Sequence, residues 1–200
     1  MISVVIPIYD EEKIIDVLLE KTKQALSFTN EEFEIICVND GSKDQSLDKL
    51  IAAHNTDKRV KVLSLSRNFG HQAAYTAGLS YTKGDQIIMM DGDLQDDPDL
   101  IKLMYNKLIS EKLDIVYAQR SDRKEGFLRK KLFKSFHFVF NRMSNINAPA
   151  NVGNFCIMNR LALNAFISLN EKNRYLPGLR YFIGFRQGFI EYNRPERTIG

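Results

Sequence analysis

Two hundred residues, 44% hydrophobic and 26% charged, suit one globular domain with a real core and exclude a disordered or low-complexity chain. No stretch approaches the roughly 18 apolar residues of a membrane helix, and the chain opens directly on an apolar strand, so no secretory signal is expected. The net charge of +3 is uneven: residues 119–143 carry eight Lys or Arg against Asp122 and Glu125, which leaves 20 basic and 23 acidic residues elsewhere.

Ile2 to Ile8 is a β-branched run that reads as a buried strand, with Pro7 arguing that pairing stops near its end. Asp10-Glu11-Glu12 is predicted to open an amphipathic helix bearing Ile14, Ile15, Leu18 and Leu19. Phe33 to Val38 forms a second strand ending in Asn39-Asp40-Gly41-Ser42, where Ser42 suits the cap of a helix carrying Leu47, Leu50 and Ile51. Val60 to Leu65 is a third strand, followed by Ser66-Arg67-Asn68-Phe69-Gly70 and a small-residue helix from Ala73 to Leu79. Ile87 to Met90 is the fourth strand, Pro98 to Ile109 a helix with Asp97 as its cap, and Leu113 to Ala118 a fifth strand. Strands alternating with helices, each strand apolar throughout, predict an α/β domain with a parallel sheet. Cys37 and Cys156 stand alone, which suggests a reducing compartment and core positions rather than a disulfide or a zinc site.

The fourth strand runs into Asp91-Gly92-Asp93-Leu94-Gln95-Asp96-Asp97. Two hard carboxylates one residue apart suit Mg2+ or Mn2+, which need only one or two protein ligands when phosphates complete the shell. Alone, the tripeptide also reads as a solvated turn. A haloacid-dehalogenase type phosphotransferase places Asp-x-Asp after a strand too, but a Thr or Val normally follows, not Leu94-Gln95. Ligands of parallel α/β sheets bind beyond the carboxyl ends of the strands, and Asp40, Arg67 and the Asp91/Asp93 pair all fall at such ends. No Gly-x-Gly-x-x-Gly follows the first strand and no Gly-Lys-Ser/Thr exists, so phosphates would be held by a metal and basic side chains. Asp40 suits a base or ribose, although Asn-Asp-Gly-Ser also satisfies itself as a turn.

In combination, Pro7-Ile8-Tyr9-Asp10-Glu11, Asn39-Asp40-Gly41-Ser42, Ser66 to Ala74 and Met90-Asp91-Gly92-Asp93-Leu94-Gln95 resemble the ordered motifs of family-2 glycosyltransferases. More narrowly, the chain resembles the polyprenyl-phosphate branch, which includes dolichol-phosphate mannose synthases and bacterial undecaprenyl-phosphate glycosyltransferases. The resemblance covers almost the whole chain. It implies a GT-A fold with a Rossmann-like, mostly parallel sheet, and an inverting, metal-dependent hexosyl transfer from a UDP- or GDP-sugar to a polyprenyl phosphate. It places Pro7, Tyr9, Glu11, Asp40 and Arg67 on the donor, and Asp91, Asp93 and Gln95 on Mg2+ or Mn2+, with Asp91 also facing the nucleotide sugar.

The same resemblance aims Arg120 and Arg123 at the acceptor phosphate, where a guanidinium fork suits the dianion, with Lys131 and Ser135 at a second phosphate position. Residues 127–143 have helical periodicity, and aromatics among lysines suit a helix lying on anionic lipid. An ordinary amphipathic helix gives the same pattern; a nucleic-acid surface fits the Asp-x-Asp context least. Asn151 to Met158 resembles the family's Gly-Asp-Phe-Arg-Leu-Met segment, but Asn154 stands where the usual Asp acts as base and Cys156 where an Arg follows. A phosphate monoester with a second pKa near 6 is mostly dianionic at neutral pH, so the acceptor needs orientation by Asn154 more than deprotonation. Asp93, Arg120 and Asn154 are thus the groups expected to carry the chemistry.

Gly178 to Phe185 reads as an apolar, aromatic helix containing Arg180, and Glu191 to Gly200 resembles the family's closing strand and turn. The whole is expected to be a single domain, residues 1–118 forming the nucleotide-sugar half and 119–200 an acceptor half facing the membrane. Relatives often continue into membrane helices, so a peripheral or trimmed protein at the cytoplasmic membrane face, acting in envelope glycan synthesis, is expected. A homo-oligomer is compatible with the sequence. Two other readings are a saccharide acceptor on the same fold and a degenerate protein that binds nucleotide sugar or lipid without turnover.

Overall fold

The computed structural model describes residues 1–29, 31–120, 152–171 and 175–192. The expected lipid-facing helix over 127–143, the phosphate-binding Arg123, Lys131 and Ser135, and the turn beyond Tyr192 lie outside the described residues. Among the described residues, seven strands form one sheet: β1 (Ile2–Ile8), β2 (Phe33–Asn39), β3 (Val60–Ser64), β4 (Gln86–Met89), β5 (Ile115–Arg120), β6 (Val152–Asn159) and β7 (Gln187–Tyr192). Their order is β3-β2-β1-β4-β6-β5-β7, and β6 alone runs antiparallel to its neighbours β4 and β5. The sheet is therefore mostly parallel, as expected, with one reversed strand that the alternation of strands and helices did not show.

Every central strand splits its side chains between two cores with a period of two. Ile2, Val4, Ile6 and Ile8 join Ile35, Cys37, Ile88, Met90, Val116 and Ile157 on one face. That face is covered by α1 (Ile15–Leu26), α2 (Ser46–Thr56) and α4 (Leu100–Ser110). Val5, Ile36, Val38, Ile87, Met89, Tyr117 and Cys156 face the other core, under α3 (His71–Ser80), α5 (Arg160–Ile167) and α6 (Leu176–Phe182). Both cysteines are fully buried and unbonded to each other, and burial pushes the Cys37 thiol up to about 12. No helix among the described residues is long and apolar enough to cross a membrane.

Four local expectations change. β1 continues pairing with β2 through Ile8, although its pairing with β4 stops at Val5. Helix α1 starts at Ile15 rather than Asp10, because the acidic segment cross-links two loops instead. Asp10 Oδ1 accepts from the Lys43 amide and Glu12 Oε2 from that of Gln45, while the Glu11 amide donates to Ser46 Oγ. Ser42 does not cap α2; its hydroxyl accepts from the Asp10 amide. Helix α4 starts at Leu100 because Asp97 and Pro98 form a preceding turn that accepts the Leu100 and Ile101 amides.

At the sheet edge, buried Asp114 accepts from the Arg186 guanidinium and amide and from Asn159 Nδ2. The Arg186 hydrogen bond holds this carboxyl below its ordinary value, against the opposing effect of burial. A carboxyl depressed in the folded state contributes stability above the unfolded pKa of about 4 and loses it as pH falls through the folded value. Asp114→Asn is therefore expected to lower Tm at pH 7. The gap to the unsubstituted protein should shrink as pH drops below about 4, where both carry a neutral group. Thermal melts across that range check it, and a gap independent of pH contradicts it.

Candidate active site

The loops after β1, β2, β3 and β4 meet at one end of the sheet, where the strand order turns back between β1 and its neighbours, the usual place for a ligand in such sheets. They enclose a cleft of about 340 Å³ whose lining includes Pro7, Tyr9, Glu11, Asp40, Asp91 and Asp93, along with Asn68, Gly70 and His71. Six of the residues predicted from the sequence thus converge. Arg67 and Gln95 do not line the cleft. Arg67 stacks its guanidinium 4.2 Å over the Phe69 ring, and the Gln95 amide donates to Asp93 Oδ1, closing the turn after β4.

Asp40 is buried at the end of β2 and already has work. Its two oxygens accept the Phe69 and Gly70 amides at 2.8 and 2.9 Å, which pins the loop after β3 against β2. A carboxylate offers about four acceptor directions, so two amides leave capacity for a ligand. Gly92 lets the Asp91–Asp93 turn press onto β1: a Cβ there would lie 2.8 Å from the Pro7 carbonyl oxygen.

Asp91 is held by two side chains that the sequence reading left without a role. Tyr75 donates its hydroxyl to Asp91 Oδ1 at 2.8 Å, and His71 Nε2 lies 3.1 Å from the same oxygen. The pair stand four residues apart on one face of α3, rings edge to face. The hydrogen bond to Asp91, then the charges of Asp91, Asp93 and Asp40, raise the His71 pKa against the opposing effect of burial. Burial, then the charge of Asp91, keep Tyr75 protonated well beyond the ordinary phenol range. A histidine at a helix start inside the Ser66–Ala74 motif is the trace of this pair in the sequence.

Asn154 reaches this group from β6, its Nδ2 3.4 Å from His71 Nδ1. A bulge puts it there. Tyr117 pairs with Cys156 but Gln119 with Val152, so two steps along β5 are matched by four along β6. The bulge withdraws backbone carbonyls from the ladder, and Arg180 takes them: Nη2 bonds the Gly153 oxygen at 2.6 Å and Nη1 the Asn154 oxygen at 2.9 Å. Arg180 is fully buried, with Cys156 Sγ and Met89 Sδ also within reach of Nη1 and the Tyr117 ring 5.5 Å away. A lone arginine inside the apolar run from Leu176 to Ile183 was its only sequence trace. Arg120 ends β5 beside the bulge, its Nη2 3.6 Å from where a Cβ on Gly153 would sit.

Among the described residues, no three His, Cys, Asp or Glu side chains are arranged to hold a metal by themselves. Among the described residues, the cleft lining has four carboxylates and no Lys or Arg. An anionic diphosphate entering it needs a cation between, and two carboxylates on one turn suit an ion that takes its other ligands from phosphate and water.

The sequence profile described as glycosyl transferase family 2 matches residues 3–166. An uncharacterized glycosyltransferase, YkcC of Bacillus subtilis, is 41% identical over 199 residues, which cover 99% of this chain and 61% of the relative. A prophage bactoprenol glucosyl transferase homolog of Escherichia coli is 35% identical over 200 residues, all of this chain and 65% of the relative. The chain thus spans about three fifths of the length of these curated relatives. Among solved structures, glucosyl-3-phosphoglycerate synthase of Mycobacterium tuberculosis, in complex with Mn2+, UDP and its glucosylated product, superposes with a TM-score of 0.69. The identity is 17%, over all of this chain and 73% of that one. The mannosyltransferase PcManGT of Pyrobaculum calidifontis, in complex with GDP-mannose and Mn2+, gives 0.68 at 15% identity, over 98% and 58%. These neighbours share the fold, which is GT-A. With the profile covering most of its length, the chain belongs to glycosyl transferase family 2.

Proposed function

We propose that this chain is the catalytic domain of an inverting transferase that moves a sugar from a nucleotide diphosphate sugar to a polyprenyl phosphate at the cytoplasmic membrane face. The observation that carries this reading is the acid-lined cleft at the strand ends, with Asp40 on one wall and the Asp91–Asp93 turn on the other. The relatives named bactoprenol glucosyl transferases support the acceptor class. The neighbours solved with UDP or GDP-mannose and Mn2+ support the donor class and the metal.

In this reading Pro7, Tyr9, Glu11 and Asp40 receive the nucleoside, with Arg67 near the donor. Asp91 and Asp93, with Gln95 closing their turn, hold Mg2+ or Mn2+, which when bound offsets the charge that builds on the leaving diphosphate. Tyr75 and His71 fix which Asp91 oxygen faces the cleft. Arg120, joined by Arg123, Lys131 and Ser135, draws in the acceptor phosphate. An acceptor oxygen attacks the anomeric carbon, its bond to the diphosphate oxygen breaks, and the nucleoside diphosphate leaves with the electron pair. The attacking oxygen is already anionic near neutral pH, so Asn154 orients it and no side chain takes a proton.

The test uses the full-length protein with a panel of nucleotide sugars, undecaprenyl or dolichyl phosphate, and Mn2+ or Mg2+. Nucleoside diphosphate release that requires both lipid phosphate and metal is expected. Release with soluble saccharides instead would move the assignment to a saccharide acceptor. Donor binding without release under every acceptor would overturn transfer in favour of a binding protein, the reading that Asn154 at the usual Asp position favours.

A further inference from the structure

The turn after β4 holds a third carboxylate that neither the donor nor the metal reading uses. Leu94 takes a left-handed conformation, φ 57°, which folds the chain back so that Asp96 lies beneath Asp91. Asp96 is 2% exposed. Its Oδ2 accepts the Asp91 amide at 3.2 Å, and its Oδ1 accepts the Tyr192 hydroxyl at 3.0 Å. Tyr192 is the last residue of β7, paired in register with Arg120 at the end of β5. The Phe155 ring stands edge-on to that of Tyr192 and helps bury it.

A buried carboxylate costs free energy unless its bonds are satisfied. A turn fixed only for its own sake would need no phenol from a strand 96 residues on. The hydrogen bonds Tyr192 to Asp96 to the Asp91 amide, with Tyr192 in register beside Arg120, tie the end of β5 to the turn that bears Asp91 and Asp93.

We infer that Asp96 is a positioning residue that couples the two halves of the site, holding the Asp91–Asp93 turn in register with Arg120 through Tyr192. The inference rests on the reading above that Asp91 and Asp93 serve the donor and Arg120 the acceptor phosphate. Binding at either half then restrains the other, and the coupling is reciprocal by linkage. Asp96→Asn keeps the shape of the side chain but can offer only one acceptor oxygen; its NH2 group must face either the Asp91 amide or the Tyr192 hydroxyl. Tyr192→Phe keeps the ring and removes the bridging oxygen alone.

The first experiment needs no activity: amide hydrogen exchange over residues 90–97 in Tyr192→Phe. Exchange there should rise about tenfold, as expected for one lost buried bond to a charged group. A segment unchanged by a substitution in β7 would overturn the coupling. The second is kinetic, in the full-length protein with lipid phosphate. Tyr192→Phe should raise the acceptor KM about tenfold while the Kd for nucleoside diphosphate with Mn2+ moves less than about threefold. Asp96→Asn should weaken both, and the double variant should be no worse than Asp96→Asn. Additive losses in the double variant, or equal losses of donor and acceptor binding in Tyr192→Phe, would reduce Asp96 to a packing role. Absence of transfer in the unsubstituted protein would overturn the proposed function, while the exchange result would still decide the coupling.

Discussion

Asp93→Ala is expected to cut nucleoside diphosphate release by about 10³-fold, whereas Asn154→Ala costs about tenfold. The asymmetry follows from what each side chain is asked to do. In the proposed reaction, Asp93 on the acid-lined cleft holds the cation that balances the leaving diphosphate, so removing its carboxylate weakens that hold directly. Under the same proposal Asn154 meets a nucleophile that already carries its negative charge, so only orientation is lost. Alanine at 154 also keeps the backbone carbonyl that Arg180 grips, and with it the bulge. Steady-state assays of both variants, beside melts showing near-native Tm, measure the difference. Equal losses would mean that position 154 takes part in proton transfer or metal binding after all.

Gly41→Ala is expected to destabilise the protein by about 2–4 kcal/mol and to weaken nucleotide binding at least tenfold in the molecules that remain folded. Gly41 lies at φ +69°, which L side chains rarely adopt, and its missing Cβ leaves room for another loop. An added methyl would lie 2.4 Å from the Arg67 carbonyl carbon and 2.6 Å from the Asn68 nitrogen, both backbone atoms that cannot rotate aside. Relief requires the β2 and β3 loops to part, and that breaks the bonds from Asp40 to the Phe69 and Gly70 amides. Thermal melts and calorimetric titration with nucleoside diphosphate and Mn2+ separate the two effects. Unchanged affinity with lowered Tm would show that the cleft tolerates a displaced loop.

The parallel half of the sheet was legible because its strands are continuous apolar runs, and five of them stand close to where those runs lie. The reversed strand was not. Val152–Asn159 is also apolar at its end, but nothing in its composition says that it enters between β4 and β5 running the other way; that follows from long-range pairing. Of the residues that line the cleft, Pro7, Tyr9, Glu11, Asp40, Asp91 and Asp93 were legible because short motifs at strand ends carry them. Tyr75 and Arg180 were hidden because each lies in a helix that reads as ordinary core, and their partners come from distant segments: Asp91 for the one, the β6 carbonyls for the other. Helix starts moved because Asp10, Glu12 and Ser42 bond across loops, a competition that local propensity does not contain.

The β6 bulge and Arg180 are two halves of one solution. Straightened, the strand would return its carbonyls to the ladder and leave a guanidinium buried among Met89, Cys156 and Tyr117 with far fewer acceptors. Without the arginine, the bulge would strand two carbonyls inside the protein. Neither feature can therefore drift alone without passing through a destabilised intermediate, so the pair should be inherited, lost or grafted onto another scaffold together.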